Sequence, residues 1–233
     1  MLELDGIDSF YGEAHILHGV SLKVAKGEVV ALVGRNGAGK TTTLKSAMGL
    51  VRPRSGRVTF AGQDITGMAP WRGARLGLGY VPEERRIFKD LTVAENLEVG
   101  RKAGPGGAEG WSAERLYALF PNLAERRGQK GGRLSGGEQQ MLTLARTLMG
   151  NPSMLLLDEP SEGIAPVIVE AMAEALLTLK RAGLAVLLSE QNLGFARMIA
   201  DRVVLLETGT VRFDGDFAAI EADPAILARY LAV

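Results

Sequence analysis

The chain has 233 residues, 46% of them apolar and 23% charged, a composition that suits one folded α/β domain and excludes disorder over most of its length. It contains no cysteine, which excludes disulfides, thiol chemistry and cysteine-ligated metals. Basic and acidic residues balance at 27 each, so a general nucleic-acid surface is not expected and nucleic acid is not an expected partner.

The opening residues, MLELDGIDSFYG, lack a basic patch followed by an apolar stretch, so no signal peptide is expected. Short β-patterned pieces follow at 2–10, 16–24 and 29–33, the last two separated by a Lys26-Gly27 turn. A glycine-rich turn at 34–39 then opens a helix over 40–50, with a turn at 52–56 and a further strand at 57–60. The segment GRNGAGKT at 34–41 matches the phosphate-loop pattern G-x-x-x-x-G-K-[ST] in the strand-to-helix context that the pattern requires. Its chemistry is direct. Glycines let the backbone curl so that its N–H groups face phosphate oxygens, and the following helix adds its positive end. The expected cradle is Gly34, Arg35, Asn36, Gly37, Ala38, Gly39, Lys40, Thr41 and Thr42. Lys40 supplies a cation for the β- and γ-phosphates of ATP, and Thr41 offers a hydroxyl to Mg²⁺.

From 92 to 150 the β-branched residues thin out and helical spacing takes over, at 92–100, 113–120 and 138–148, with a glycine-rich loop at 103–110. This reads as a helical lobe, 92–150, inserted into an α/β core made of 1–91 and 151–233. Within it, LSGGEQQ at 134–140 sets Ser135, Gly136, Gly137 and Glu138 at a helix start, a second place where exposed N–H groups would take a phosphate. One ATP needs only one such loop, so the second requires an explanation.

The α/β rhythm resumes with a strand at 154–157, a helix at 166–181, a strand at 184–188, a helix at 192–200 and a strand at 203–206. Unbroken apolar strands alternating with helices imply a mostly parallel sheet covered on both faces. The strand in MLLLDEP ends in two acids. Asp158 is placed to hold Mg²⁺, and Glu159 to polarise the attacking water as general base. The apolar runs fall far short of the ~20 residues of a membrane span, so a membrane role must come through a partner.

GRNGAGKT, LSGGEQQ and LLLDEP, in that order, resemble the ABC ATPase family across essentially the whole chain. The resemblance implies an α/β phosphate-loop NTPase core with an N-terminal antiparallel β subdomain and an inserted helical subdomain. It also implies a head-to-tail dimer with a second such ATPase, each ATP lying between one subunit's phosphate loop and the other's signature LSGGEQQ. Tyr11 matches the family's adenine-stacking aromatic, and SEGI at 161–164 matches the loop that crosses the dimer interface.

Two positions depart from the family's common pattern. Glu83, in YVPEERRIF, stands where most members carry a glutamine that touches Mg²⁺. Gln191, in LLSEQN, stands where most carry a histidine near the γ-phosphate. An amide still donates a hydrogen bond but does not titrate near neutrality. His15 and His18 are expected to be structural. With VPEERRIFKDLTVAENLEVG, DEPSEGIAPVIVE, SEQN and the ending ARYL, the chain is most similar to the import ATPases for branched-chain amino acids. That similarity implies two permease subunits in the membrane, an external substrate-binding protein acting indirectly, and a peripheral position on the cytoplasmic face. The same ATPase role for urea, amides or an exported lipid is the alternative. A soluble repair or translation ATPase of this class would bring coiled-coil insertions, cysteines or a second cassette, and the sequence has none of these.

Overall fold

The computed structural model describes residues 1–103 and 110–222. β1 (Leu2–Tyr11) and β2 (Ala14–Val24) form an antiparallel hairpin. Leu2 and Leu4 point inward; a register shift at Gly6, whose φ is 59°, then changes the parity so that Ile7 and Ser9 are the buried residues. β3 (Val29–Val33) is buried at every position and runs into α1 (Lys40–Met48). β4 (Ser55–Phe60) and β5 (Gln63–Asp64) extend the hairpin into an antiparallel sheet of order β2-β1-β4-β5. α2 (Pro70–Leu76) and β6 (Leu78–Val81) come next.

Helices then dominate: α3 (Val93–Gly100), α4 (Ala113–Leu119), α5 (Pro121–Glu125) and α6 (Gly136–Leu148). α3 and α6 start alike. Thr92 and Ser135 cap the third helical N–H, and Glu95 and Glu138 return a carboxylate to the capping residue's own N–H. The rest is β7 (Met154–Asp158), α7 (Pro166–Arg181), β8 (Ala185–Glu190), α8 (Leu193–Ile199), β9 (Arg202–Glu207), β10 (Thr210–Gly215) and α9 (Phe217–Glu221).

The second sheet has the order β10-β9-β3-β8-β7-β6 and is parallel throughout except for β10, which pairs antiparallel with β9. Side-chain alternation splits its core. Met154 and Leu156 pack with Leu32, Leu44 and the N-terminal sheet. Leu155 and Leu157 pack on the other face with Leu97, Leu142 and Leu176 from α3, α6 and α7. The register sets Val33 against Glu190 and Asp158 against Ser189, so the carboxyl ends of β3, β7 and β8 form one edge.

Several boundaries differ from the sequence expectations for local reasons. α1 ends at Met48 because Gly49 adopts φ 77° as its cap, where a Cβ would lie 2.2 Å from the Met68 carbonyl. α6 begins at Gly136, two residues before the expected 138, because Ser135 caps it. The glycine-rich loop expected at 103–110 falls at 104–109 outside the described residues, as does the ARYL ending.

Candidate functional site

Three glycines in the turn after β3 carry positive φ: Gly34 (155°), Gly37 (79°) and Gly39 (107°). Space adds to the requirement. A Cβ on Gly34 would lie 2.2 Å from the Leu206 carbonyl oxygen, and one on Gly39 2.8 Å from Leu17. α1 has no side-chain cap and no acid in its first turn, so its leading N–H groups face the turn. Lys40 is 3% exposed; its Nζ donates to the carbonyls of Gly34 (2.8 Å) and Arg35 (3.2 Å) and pairs with Glu159 Oε1 at 3.0 Å. A pocket of about 380 Å³ opens in front of this turn. Asn36, Gly37, Gly39, Lys40, Thr41 and Thr42 line it from one side, and Glu83, Glu159 and Glu162 from the other; Tyr11, half exposed, stands at its margin. Arg35 is exposed and, with Ala38, lines a neighbouring hollow beside Glu207 and Thr208.

The two acids at the carboxyl end of β7 have different surroundings. Asp158 is buried and accepts from Thr41 Oγ1 (2.9 Å), Ser189 Oγ (2.7 Å) and the Tyr80 hydroxyl (2.9 Å). Burial, and then the negative Asp158, push the Tyr80 phenol far above its ordinary pKa, so its proton stays in that bond. Glu159 sits at φ 45°, a strained value for a non-glycine residue, and its N–H is shared between the Ser189 carbonyl and Ser189 Oγ, both at 3.1 Å. Its Oε2 accepts from Gln191 Nε2 at 2.6 Å. Burial acts to raise the Glu159 pKa, but hydrogen bonds from Glu162 and Gln191 and the Lys40 ammonium outweigh it and hold the group below its ordinary value. Glu162 responds oppositely: its hydrogen bond to Glu159, with some burial and the charges of Glu159, Glu83 and Glu190, pushes it up to about 7. Glu83 is raised by burial and then by Glu159 and Asp158.

Thr41 and Asp158 thus place two hard oxygen donors together, with the Glu83 carboxyl lining the same pocket. This donor set fits Mg²⁺, which takes few protein oxygens and completes its shell with water and phosphate.

The second expected cradle lies elsewhere. None of Ser135, Gly136, Gly137 and Glu138 lines the pocket of the first. Ser135 Oγ accepts from the Glu138 N–H (3.4 Å), and Glu138 Oε2 accepts from the Ser135 N–H (2.8 Å) and pairs with Arg126 through its other oxygen. The two glycines are not left-handed; they provide room. A Cβ on Gly136 would meet the Arg85 guanidinium at 2.5 Å, and one on Gly137 would meet Ile168 at 2.7 Å.

Sequence reasoning missed Tyr80, Ser189, Glu162 and Glu190. Glu190 is buried and pushed up by burial, while hydrogen bonds from Ser161 and Asn192 pull the other way. The histidines are away from this chemistry: His15 bonds Asp8 at 2.8 Å, stacks on Phe10 and meets the His18 ring at a tilt.

A groove of about 720 Å³ is separate from the phosphate pocket. Met48, Leu50, Pro70 and Leu78 supply apolar surface; Arg75, Arg86, Arg101, Lys102 and Arg146 supply charge, and no acid lines it among the described residues. Trp71, Phe88 and Val99 are exposed on neighbouring segments.

The family model for ABC transporter matches residues 17–162. A Pseudomonas aeruginosa protein described as the high-affinity branched-chain amino acid transport ATP-binding protein BraG is 41% identical over 231 residues, 99% of each chain. The lipopolysaccharide export system ATP-binding protein LptB of Acidithiobacillus ferridurans is 34% identical over 99% of this chain and 96% of its own. The ADP conformation of an ATP-binding cassette of an ABC transporter is similar with TM-score 0.83, at 28% identity over 98% of this chain and 97% of that one. A dimeric structure of a bacterial ABC transporter cassette has TM-score 0.79, at 25% identity over 93% and 98%.

Proposed function

The chain belongs to the ABC transporter family as an ATP-binding, ATP-hydrolysing subunit, and from that premise we propose that it powers the import of branched-chain or similar hydrophobic amino acids. One arrangement carries the chemical part: Glu159 is held between Lys40 and Gln191, beside the Thr41–Asp158 pair and in front of the phosphate turn. The N–H groups of residues 34–42 hold the β- and γ-phosphates, and Lys40 exchanges its carbonyl partners for phosphate oxygens. Glu159, kept as a carboxylate, takes the proton of the water that attacks the γ-phosphorus as the bond to the β,γ-bridging oxygen breaks and ADP leaves. Gln191 fixes the Glu159 carboxylate by donating an amide N–H to it and has no titratable proton to transfer. Mg²⁺, when held by Thr41 and Asp158 with Glu83 nearby, neutralises charge on the phosphates. Tyr11 offers its exposed ring to the adenine.

The signature residues 135–138 lie outside this pocket, which supports a second cassette, the same chain or a paralogue, whose phosphates they serve. The helical lobe 92–150 carries them against a core of 1–91 and 151–233. Among the described residues no helix is long and apolar enough to cross a membrane. The groove with its basic side chains suits a cytoplasmic helix of a permease subunit, which supports a peripheral position on the inner face, with an external binding protein acting through the permeases.

The cargo rests on likeness: Glu83, the Gln191-Asn192 pair and the greater identity to BraG than to LptB favour amino-acid import over lipid export. The chemistry is tested with Glu159→Gln, which is expected to bind MgATP, to lose steady-state hydrolysis and to accumulate as an ATP-bound dimer; wild-type turnover would remove Glu159 from the role. The cargo is tested by uptake of labelled leucine, isoleucine and valine in a strain lacking the gene, with and without a plasmid copy. Unchanged uptake beside a lost lipid, urea or amide phenotype would reassign it.

A further inference from the structure

The carboxyl end of β8 places three consecutive polar residues, and two of them serve the acids of β7 directly. Ser189 bonds Asp158 and the Glu159 N–H, and Gln191 bonds the Glu159 carboxylate. Glu190 does neither. It is 2% exposed, and its two oxygens are divided between two loops. Oε1 accepts from the Ser161 N–H at 3.0 Å, in the segment after β7. Oε2 accepts from the N–H groups of Gln191 and Asn192, both at 3.2 Å, in the turn that starts α8. A carboxylate is an acceptor only, and this one is satisfied by the backbone of both loops, with the Ser161 side chain adding to the first. If either loop withdrew, a buried carboxylate oxygen would lose its donors, so each loop holds the other in place.

We propose that Glu190 is a positioning residue that locks residues 161–163 to the Gln191 turn. Through it, contact by a second cassette at the 161–163 segment fixes where Gln191 holds Glu159. The inference rests on the dimer reading above for its consequence in catalysis, whereas the lock itself is a property of the single chain.

The test uses the full chain with Glu190→Gln, which keeps shape and replaces one acceptor oxygen by a donor, and with Glu190→Ala. In the isolated chain, amide NMR signals of Ser161 and Asn192 are expected to shift together in Glu190→Gln, while those of Lys40 and Thr41 stay in place. In steady-state hydrolysis, kcat is expected to fall roughly tenfold to a hundredfold, because a displaced Glu159 is a displaced base. The KM for ATP and the MgATP affinity of the monomer are expected to remain within about threefold, since the phosphate turn is untouched. An unmoved Ser161 amide, an unchanged kcat, or a loss of MgATP affinity that matches the loss of kcat would each overturn the proposal. If Glu190→Ala does not fold, Glu190→Gln decides. Glu159→Gln run alongside separates the premise from the inference. Should it fail to form the ATP-bound dimer, the dimer reading fails, and the Ser161 and Asn192 shifts still decide the lock.

Discussion

Glu159 and Glu162 share one side of the phosphate pocket, and their opposite shifts make a measurable pH signature. The folded chain keeps the Glu162 proton up to about 7, whereas an unfolded chain releases it near the ordinary glutamate value of 4.5. Between those limits the folded state binds more protons, so stability falls as pH rises. Glu159, held below its ordinary value, works in another window: its contribution is present above 4.5 and lost on further acidification. Glu83 and Glu190, both raised, act in the same direction as Glu162. The unfolding temperature of the nucleotide-free chain is therefore expected to decline from pH 5 to pH 8, and to decline less in Glu162→Gln. Equal slopes in the two proteins would refute the assignment. At this scale the residues legible in the sequence were those whose neighbours are local: the phosphate turn, its lysine and threonine, and the Asp158-Glu159 pair. Tyr80, Ser189 and Glu190 reach Asp158, Glu159 and Ser161 only through the register of three parallel strands, which no spacing along the chain discloses.

At the scale of elements, the segment 83–91 carries Glu83 at one end and is fastened to two helices along its length. Asn96 on α3 is fully buried. Its Oδ1 accepts from the Phe88 N–H at 2.9 Å, and its Nδ2 donates to the carbonyls of Phe88 (3.0 Å), Leu91 (3.2 Å) and Thr92 (2.9 Å). From α6, Thr143 Oγ1 donates to the Arg85 carbonyl and Arg146 to the Arg86 carbonyl at 2.6 Å, across two residues with φ of 64° and 39°. A backbone in that conformation persists because its surroundings impose it. Asn96→Ala removes every one of the Asn96 side-chain bonds and leaves the Phe88 N–H without its partner, while the carbonyls of Phe88, Leu91 and Thr92 keep the N–H groups of Leu91, Gly131 and Asn96, at a cost of about 2.5 kcal/mol. For a chain of this length that corresponds to a drop in unfolding temperature of roughly 5–10 °C, read by scanning calorimetry. A drop of under a degree would mean that water replaces the side chain there. The long helices and buried strands were legible from periodicity because packing and pattern coincide. The short elements α2, β5, β6, α5, β10 and α9 were not, because two to seven residues hold too little periodic signal and tertiary contacts settle their state.

On the scale of the whole molecule, the sequence motifs identify the motor, whereas the groove proposed for its attachment is assembled from residues between 48 and 152 that no local pattern joins. Its chemistry constrains what binds. Apolar surface from Met48, Leu50, Pro70 and Leu78 calls for an apolar helix face; of the five basic lining residues Arg86 and Arg101 already pair with Glu84 and Glu98, which leaves Arg75, Lys102 and Arg146 to receive acids of the bound segment. Arg75 is exposed at the end of α2, its guanidinium 4.8 Å from the Trp71 ring centroid, and it forms no ion pair among the described residues. Arg75→Glu therefore tests charge, and Trp71→Ala tests exposed aromatic area; neither residue lines the phosphate pocket. Both variants are expected to keep the ATPase activity of the isolated chain while reducing co-purification with the membrane permeases in detergent. Arg75→Glu is also expected to abolish much of the salt sensitivity of that association, because surface charge pairs are screened at high ionic strength. The measurement is the ratio of permease to ATPase recovered at low and high salt from the wild type and each variant. Recovery equal to wild type in both variants would place the permease on another surface of the chain, and recovery lost only in Trp71→Ala would make the contact apolar without the acidic complement.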